Sequence, residues 1–134
     1  MSHRDSTGAD QIISPGALNW MVAGNGVTHS ERSSAVARSG PNSLFGIQTR
    51  LALPDSREDV APSFEHHDKN TLPAIEDDGI SVQLILGRAY GAVAPATMLS
   101  EIFYAASKRL RPNGAPRTGA RVGSIFRLMT VTST

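Results

Sequence analysis

Glycine and proline punctuate this chain so often that no segment keeps a 3.6-residue apolar period for more than two turns. That argues against helices and for short strands joined by tight turns. The 134 residues include 12 glycines and 8 prolines. Between these breaks the predicted strands cover residues 10–14, 18–23, 27–31, 44–53 and 80–86, arranged antiparallel. Pro15-Gly16 closes the first, Gly24-Asn25-Gly26 the second, and Pro54 stops the fourth, whose pattern is the strongest. In the last, Ile80, Val82, Leu84 and Leu86 alternate toward one face. Asp77-Asp78-Gly79 reads as a turn. Residues 55–75, interrupted by Pro62 and Pro73 and rich in acids, read as an irregular surface excursion. Residues 97–106 fit strand or short helix, with Ile102-Phe103-Tyr104 favouring strand. The expected fold class is all-β, a sandwich or small barrel.

The charge is unevenly spread. Residues 1–106 carry seven Lys/Arg against twelve Asp/Glu, a net −5, whereas residues 107–134 carry six Lys/Arg and no acid, a net +6. The chain thus has an acidic body and a basic tail with no sustained period before the short apolar run 124–131. A basic tail suits nucleic acid or an acidic surface in general, but nothing else in the sequence supports nucleic acid, which is not an expected partner. No cysteine is present, which excludes disulfides and thiolate metal sites and suits a reducing compartment. No stretch approaches the length of an apolar membrane span, and the start lacks the apolar core of a signal peptide. The expected location is the cytoplasm, with no membrane partner.

His29 and Glu31 stand two residues apart on a predicted strand, so both side chains project from one face. An imidazole and a carboxylate so placed can chelate one divalent first-row ion. Such sets with open positions favour non-haem iron, and nickel, copper, zinc and manganese are chemically possible. Spacing alone also fits an ordinary polar strand edge. His66 and His67 are adjacent, point opposite ways on an extended chain, and read as solvated. Gly24-Asn25-Gly26 lacks the third glycine and helix of a dinucleotide loop, and no Gly-x-Ser-x-Gly or Walker sequence occurs.

Several runs together resemble one family. They are His3-Arg4-Asp5, then Pro15 through Glu31 with its Trp-Met-x-Ala-Gly-x-Gly-x-x-His-Ser-Glu pattern, Leu44-Phe45-Gly46-Ile47-Gln48, Leu51-Ala52-Leu53-Pro54, Phe64-Glu65-His66-His67, Gly87, Gly91 and Ile102-Phe103-Tyr104. In this order they resemble the pirin family over about residues 3–106. The resemblance implies a bicupin, two jelly-roll β-barrels, the first holding one metal ion, usually iron, through three histidines and a glutamate. His29 and Glu31 match the later two ligands. The earlier two belong to a His-x-His motif upstream of Met1. His3 matches a family histidine outside the ligand set.

On this basis residues 1–106 are expected to form part of the first cupin barrel, an incomplete one cut at both ends. Residues 107–134 form an unrelated basic tail that packs little against the body. Arg50 stands where many relatives have tryptophan. The implied activity is that of a quercetin 2,3-dioxygenase, with Fe(II) as cofactor, a flavonol-like aromatic substrate, and Glu31 as catalytic base as well as ligand. His29 and Glu31 are expected to face the barrel interior and, lacking the upstream pair, to bind metal weakly. The alternative is an iron-dependent regulator that binds a protein partner without turnover, or a fragment without function. Exposed strand edges would also favour self-association.

Overall fold

The computed structural model describes residues 1–33, 39 and 46–110. The chain divides into two compact units, Met1–Lys69 and Asn70–Thr134. All regular structure described is strand apart from two short 3-10 turns, Asp55–Arg57 and Lys69–Thr71. The all-β expectation holds. Among the described residues no helix is long and apolar enough to cross a membrane.

In the first unit, β1 (Ser2–Asp5) lies between β2 (Asp10–Ile12) and β4 (His29–Arg32) in an antiparallel three-stranded sheet. The expected strand at 27–31 starts two residues late, because Thr28 is tied to the Ser6 turn. Its amide donates to Ser6 Oγ at 3.2 Å, and its carbonyl accepts the Ser6 amide at 2.9 Å. A second ladder joins β3 (Leu18–Val22) to β5 (Ser63–His67), with Asn19 opposite His66 and Met21 opposite Phe64. This corrects the reading of 55–75 as irregular throughout. A strand with adjacent histidines and flanking prolines gives little local signal, and it is fixed here by a partner more than forty residues away.

The run with the strongest alternation is also corrected. Residues 46–53 form no strand, while 44–45 lie outside the described residues. Leu51 and Leu53 are half-buried and their neighbours exposed, so the apolar period is obeyed in burial. Period 2 selects a face, but a strand also needs a neighbour to take its backbone hydrogen bonds. Arg50 is exposed.

In the second unit, β7 (Ile80–Leu86) lies between β6 (Ala74–Asp77) and β10 (Tyr104–Arg109). The Asp77-Asp78-Gly79 turn is found as read: Asp77 pairs with Ile80 across Asp78 (φ 42°) and Gly79 (φ 71°), the left-handed pair a tight hairpin requires. A smaller hairpin pairs β8 (Arg88–Ala89) with β9 (Ala92–Val93). Among the described residues, the buried apolar side chains are Leu72, Leu84, Leu86, Ala94 and Ala96 in this unit and Val22 in the first. Ile80 is 40% exposed and Ser81 is buried, so the four alternating apolar residues do not all reach the core. A bulge inserts Ile85 where Leu86 pairs with Tyr104 and Leu84 with Ala105. β10 begins at Tyr104 rather than 97, and it continues through Arg109, three residues past the expected boundary at 106. Residues 111–134, most of the basic tail, lie outside the described residues.

Candidate metal centre

The register of β1 with β4 sets Glu31 opposite His3 and His29 opposite Asp5. Directly opposed residues share a face of a sheet, and so do residues two apart on one strand. His3, Asp5, His29 and Glu31 therefore stand on one face, and Ser2, Arg4, Ser30 and Arg32 on the other. The expected pairing of His29 with Glu31 on a common face is found. Both are open to solvent in this chain: His29 is exposed and the Glu31 side chain is 39% exposed. The reason is position in the sheet. β4 is the outer strand of its three-stranded sheet, while β1 is central and has neighbours on both sides.

On this face the Asp5 side chain is fully covered and His3 is only 2% exposed. Its ring stacks on Phe64 with centroids 4.2 Å apart and planes 9° from parallel, and it lies 5.8 Å from the His29 ring. His3 Nε2 is 2.9 Å from Asp5 Oδ2. Asp5 is held in turn by the loop that follows it: Oδ1 accepts from the Thr7 amide at 2.9 Å, the Thr7 hydroxyl at 2.6 Å and the Ala9 amide at 3.2 Å. The Thr7 hydroxyl, then His3 and the two amides, hold the Asp5 carboxyl down at about 2, against the opposing effect of burial. An ionised carboxylate only accepts, so Nε2 of His3 carries the donated proton. His3 Nδ1 lies 3.8 Å from Glu31 Oε1, too far for a hydrogen bond.

His66 and His67 do not join this group. His66 Nδ1 lies 2.7 Å from Asn19 Oδ1, and His67 Nε2 lies 2.9 Å from Glu65 Oε2. Among the described residues no three His, Asp or Glu side chains converge so as to hold a metal ion. The donor chemistry fits a divalent ion only in part, as one imidazole and one carboxylate open to solvent.

Residues 1–50 match the sequence profile of the family described as Pirin. A pirin-like protein of Caulobacter vibrioides is 41% identical over 105 residues, covering 78% of this chain and 36% of that protein. The matched segment belongs to the pirin family. Human pirin is 31% identical over 91 residues, 68% of this chain and 30% of its own length. The chain thus spans about a third of the length of these pirins. A crystal structure of quercetin 2,3-dioxygenase from Acinetobacter baumannii superposes with a TM-score of 0.66 at 26% identity, over 81% of this chain and 34% of that one. The strand arrangement is therefore the cupin type expected of a pirin.

Sequence reasoning placed His29 and Glu31, set His3 outside the ligand set, and gave neither His3 nor Asp5 a role. A signal existed, since His3-x-Asp5 repeats the His29-x-Glu31 spacing on a neighbouring strand and its acid opens the Asp5-Ser6-Thr7-Gly8 turn. Its meaning depends on the β1–β4 register, which local sequence does not carry.

Proposed function

We propose that this chain is the metal-binding part of a pirin-type cupin whose complete form is a quercetin 2,3-dioxygenase-type oxidoreductase. His29 and Glu31 are two ligands of a divalent ion, iron(II) first among them. The observation that carries the reading is the side-by-side projection of His29 and Glu31 from β4, on the face whose interior is closed by His3 and Phe64. The family match and the similarity to a structure titled quercetin 2,3-dioxygenase support the reaction class. A bound iron ion would supply a redox-active Lewis acid for the oxygenation of a flavonol-like substrate. Of the chain's own groups, His29 offers an imidazole nitrogen. Glu31 offers a carboxylate that accepts the substrate's hydroxyl proton when it is not fully engaged as a ligand. With two protein donors, this chain alone holds the ion loosely, because firm transition-metal sites draw three or four ligands from the protein.

Anaerobic calorimetry with iron(II) tests the site. Weak one-to-one binding, lowered about tenfold or more in His29→Ala and in Glu31→Ala, is expected. Binding unchanged in both variants would place the metal elsewhere. Tight binding lost in His29→Ala would mean that a further histidine has joined the pair. Oxygen uptake with quercetin reads turnover; iron binding with no uptake would turn the assignment toward a binding module for a protein partner.

A further inference from the structure

We propose that the other face of the β1–β4 ladder is a binding site for a phosphate group, free or carried as a monoester on a small molecule. It is independent of the metal reading of His29 and Glu31, which project from the opposite side of the sheet. The register sets Ser2 opposite Arg32 and Arg4 opposite Ser30, so serine and arginine alternate both along and across the two strands. The arginines are diagonal neighbours, a placement that separates such residues by roughly 7–8 Å and lets long side chains meet. These four residues and Ser33 line an open groove of about 380 Å³. Small-molecule sites occupy about 300–1,000 Å³, so the groove has room for more than a bare anion.

Charge and donor type select the ligand. The face that holds His3 carries the carboxylates of Asp5 and Glu31, whereas this face carries two arginines against one acid, Asp10. Asp10 stands across from Arg4 on β2, and its Oδ2 takes both Nε and Nη2 at 3.0 Å. That pair engages one edge of the guanidinium and leaves the protons of its other nitrogen, Nη1. Among the described residues no acidic side chain pairs with Arg32. Two neighbouring guanidiniums repel, and a dianion between them replaces that repulsion with charge-assisted hydrogen bonds. Ser2 and Ser30 are half-buried beside the arginines and supply hydroxyl donors. One arginine fork satisfies a carboxylate's two oxygens. A phosphate monoester has three and a charge approaching −2 at neutral pH, which suits two guanidiniums with flanking hydroxyls. Ile12, 70% exposed, lies opposite Ser2 on the same face and offers an apolar contact to the carbon part of an ester. Arginines present only for surface charge would attract chloride and phosphate alike, whereas a site of this geometry distinguishes them.

The test titrates the full 134-residue chain with inorganic phosphate, phenyl phosphate and sodium chloride at constant ionic strength, about a pH unit above the second phosphate pKa of about 6. NMR follows the arginine Nε–H signals and the backbone amides of Ser2, Arg4, Ser30 and Arg32. Saturable shifts with the phosphates and none with chloride are expected, with affinity lowered about tenfold in Arg32→Gln and in Arg4→Gln. Arg32→Lys, which keeps the charge and loses the planar fork, should also bind more weakly. Tighter binding of phenyl phosphate would name a monoester as the ligand, and equal affinities free phosphate. Shifts that chloride reproduces, or that never saturate, would overturn the proposal by showing charge screening alone. Wild-type affinity in both glutamine variants would overturn it too. Both arginines are exposed, so the variants should keep the fold, which circular dichroism checks. Should one lose it, the wild-type contrast between phosphate and chloride still decides.

Discussion

Replacing Asp5 with asparagine keeps the shape of a side chain that is fully covered and removes a charge that four donors address. The Asp5 carboxyl is lowered from 3.8 to about 2 in the folded chain, chiefly by the Thr7 hydroxyl. Each pKa unit is worth about 1.4 kcal/mol, so the ceiling is about 2.5 kcal/mol. Discounted for solvent screening, this becomes about 1–2 kcal/mol. Because the folded value lies below the unfolded one, the stabilisation is fully present above about pH 4 and is lost as the pH falls toward 2. Asp5→Asn should therefore be less stable than wild type by about 1–2 kcal/mol at pH 7. The two should converge near pH 2. Urea unfolding at a series of pH values measures this, with fluorescence of Trp20, the sole tryptophan, reporting the first unit through β3. A gap that stays constant down to pH 2.5, or no gap at pH 7, would refute the argument that Asp5 is held ionised by its neighbours.

Two further outcomes follow from the second unit. Gly87→Ala should destabilise by more than the about 1 kcal/mol of an ordinary glycine replacement, because φ is +74° and an added Cβ would sit 2.0 Å from the Ile102 carbonyl oxygen; a thermal melt equal to wild type would show that the 102–103 segment yields freely. Truncation after Ala106 should melt clearly lower than truncation after Leu110, since it also removes Ser107–Arg109 from their pairing with Val82–Ile80 and the Leu110 amide from Gly79. Equal melting temperatures for the two truncations would mean that the end of β10 contributes nothing.

Much of the fold and part of the site were readable from residue order. Ile80–Leu86 emerged with the predicted bounds, because an apolar alternation between Gly79 and Gly87 is a local signal. The His29-Ser30-Glu31 spacing was equally local, since two residues along any strand return to the same face. β5 was not legible, because Ser63–His67 lacks a strand-like alternation and takes its conformation from β3. Residues 46–53 erred the other way, having the period without the partner.

The sequence by itself determined that this chain would build short strands, that one imidazole and one carboxylate would project together, and that its matching runs resemble the pirin family. Those conclusions need only chirality, side-chain alternation and a run of matching residues. Tertiary structure decided which histidine is buried. His3 and His29 have similar polar neighbours in sequence, yet β1 is central and β4 outermost in their sheet, so His3 is enclosed by Phe64 and Asp5 while His29 meets solvent. Burial is a property of what lies across the ladder and above the face, and those neighbours come from distant parts of the chain.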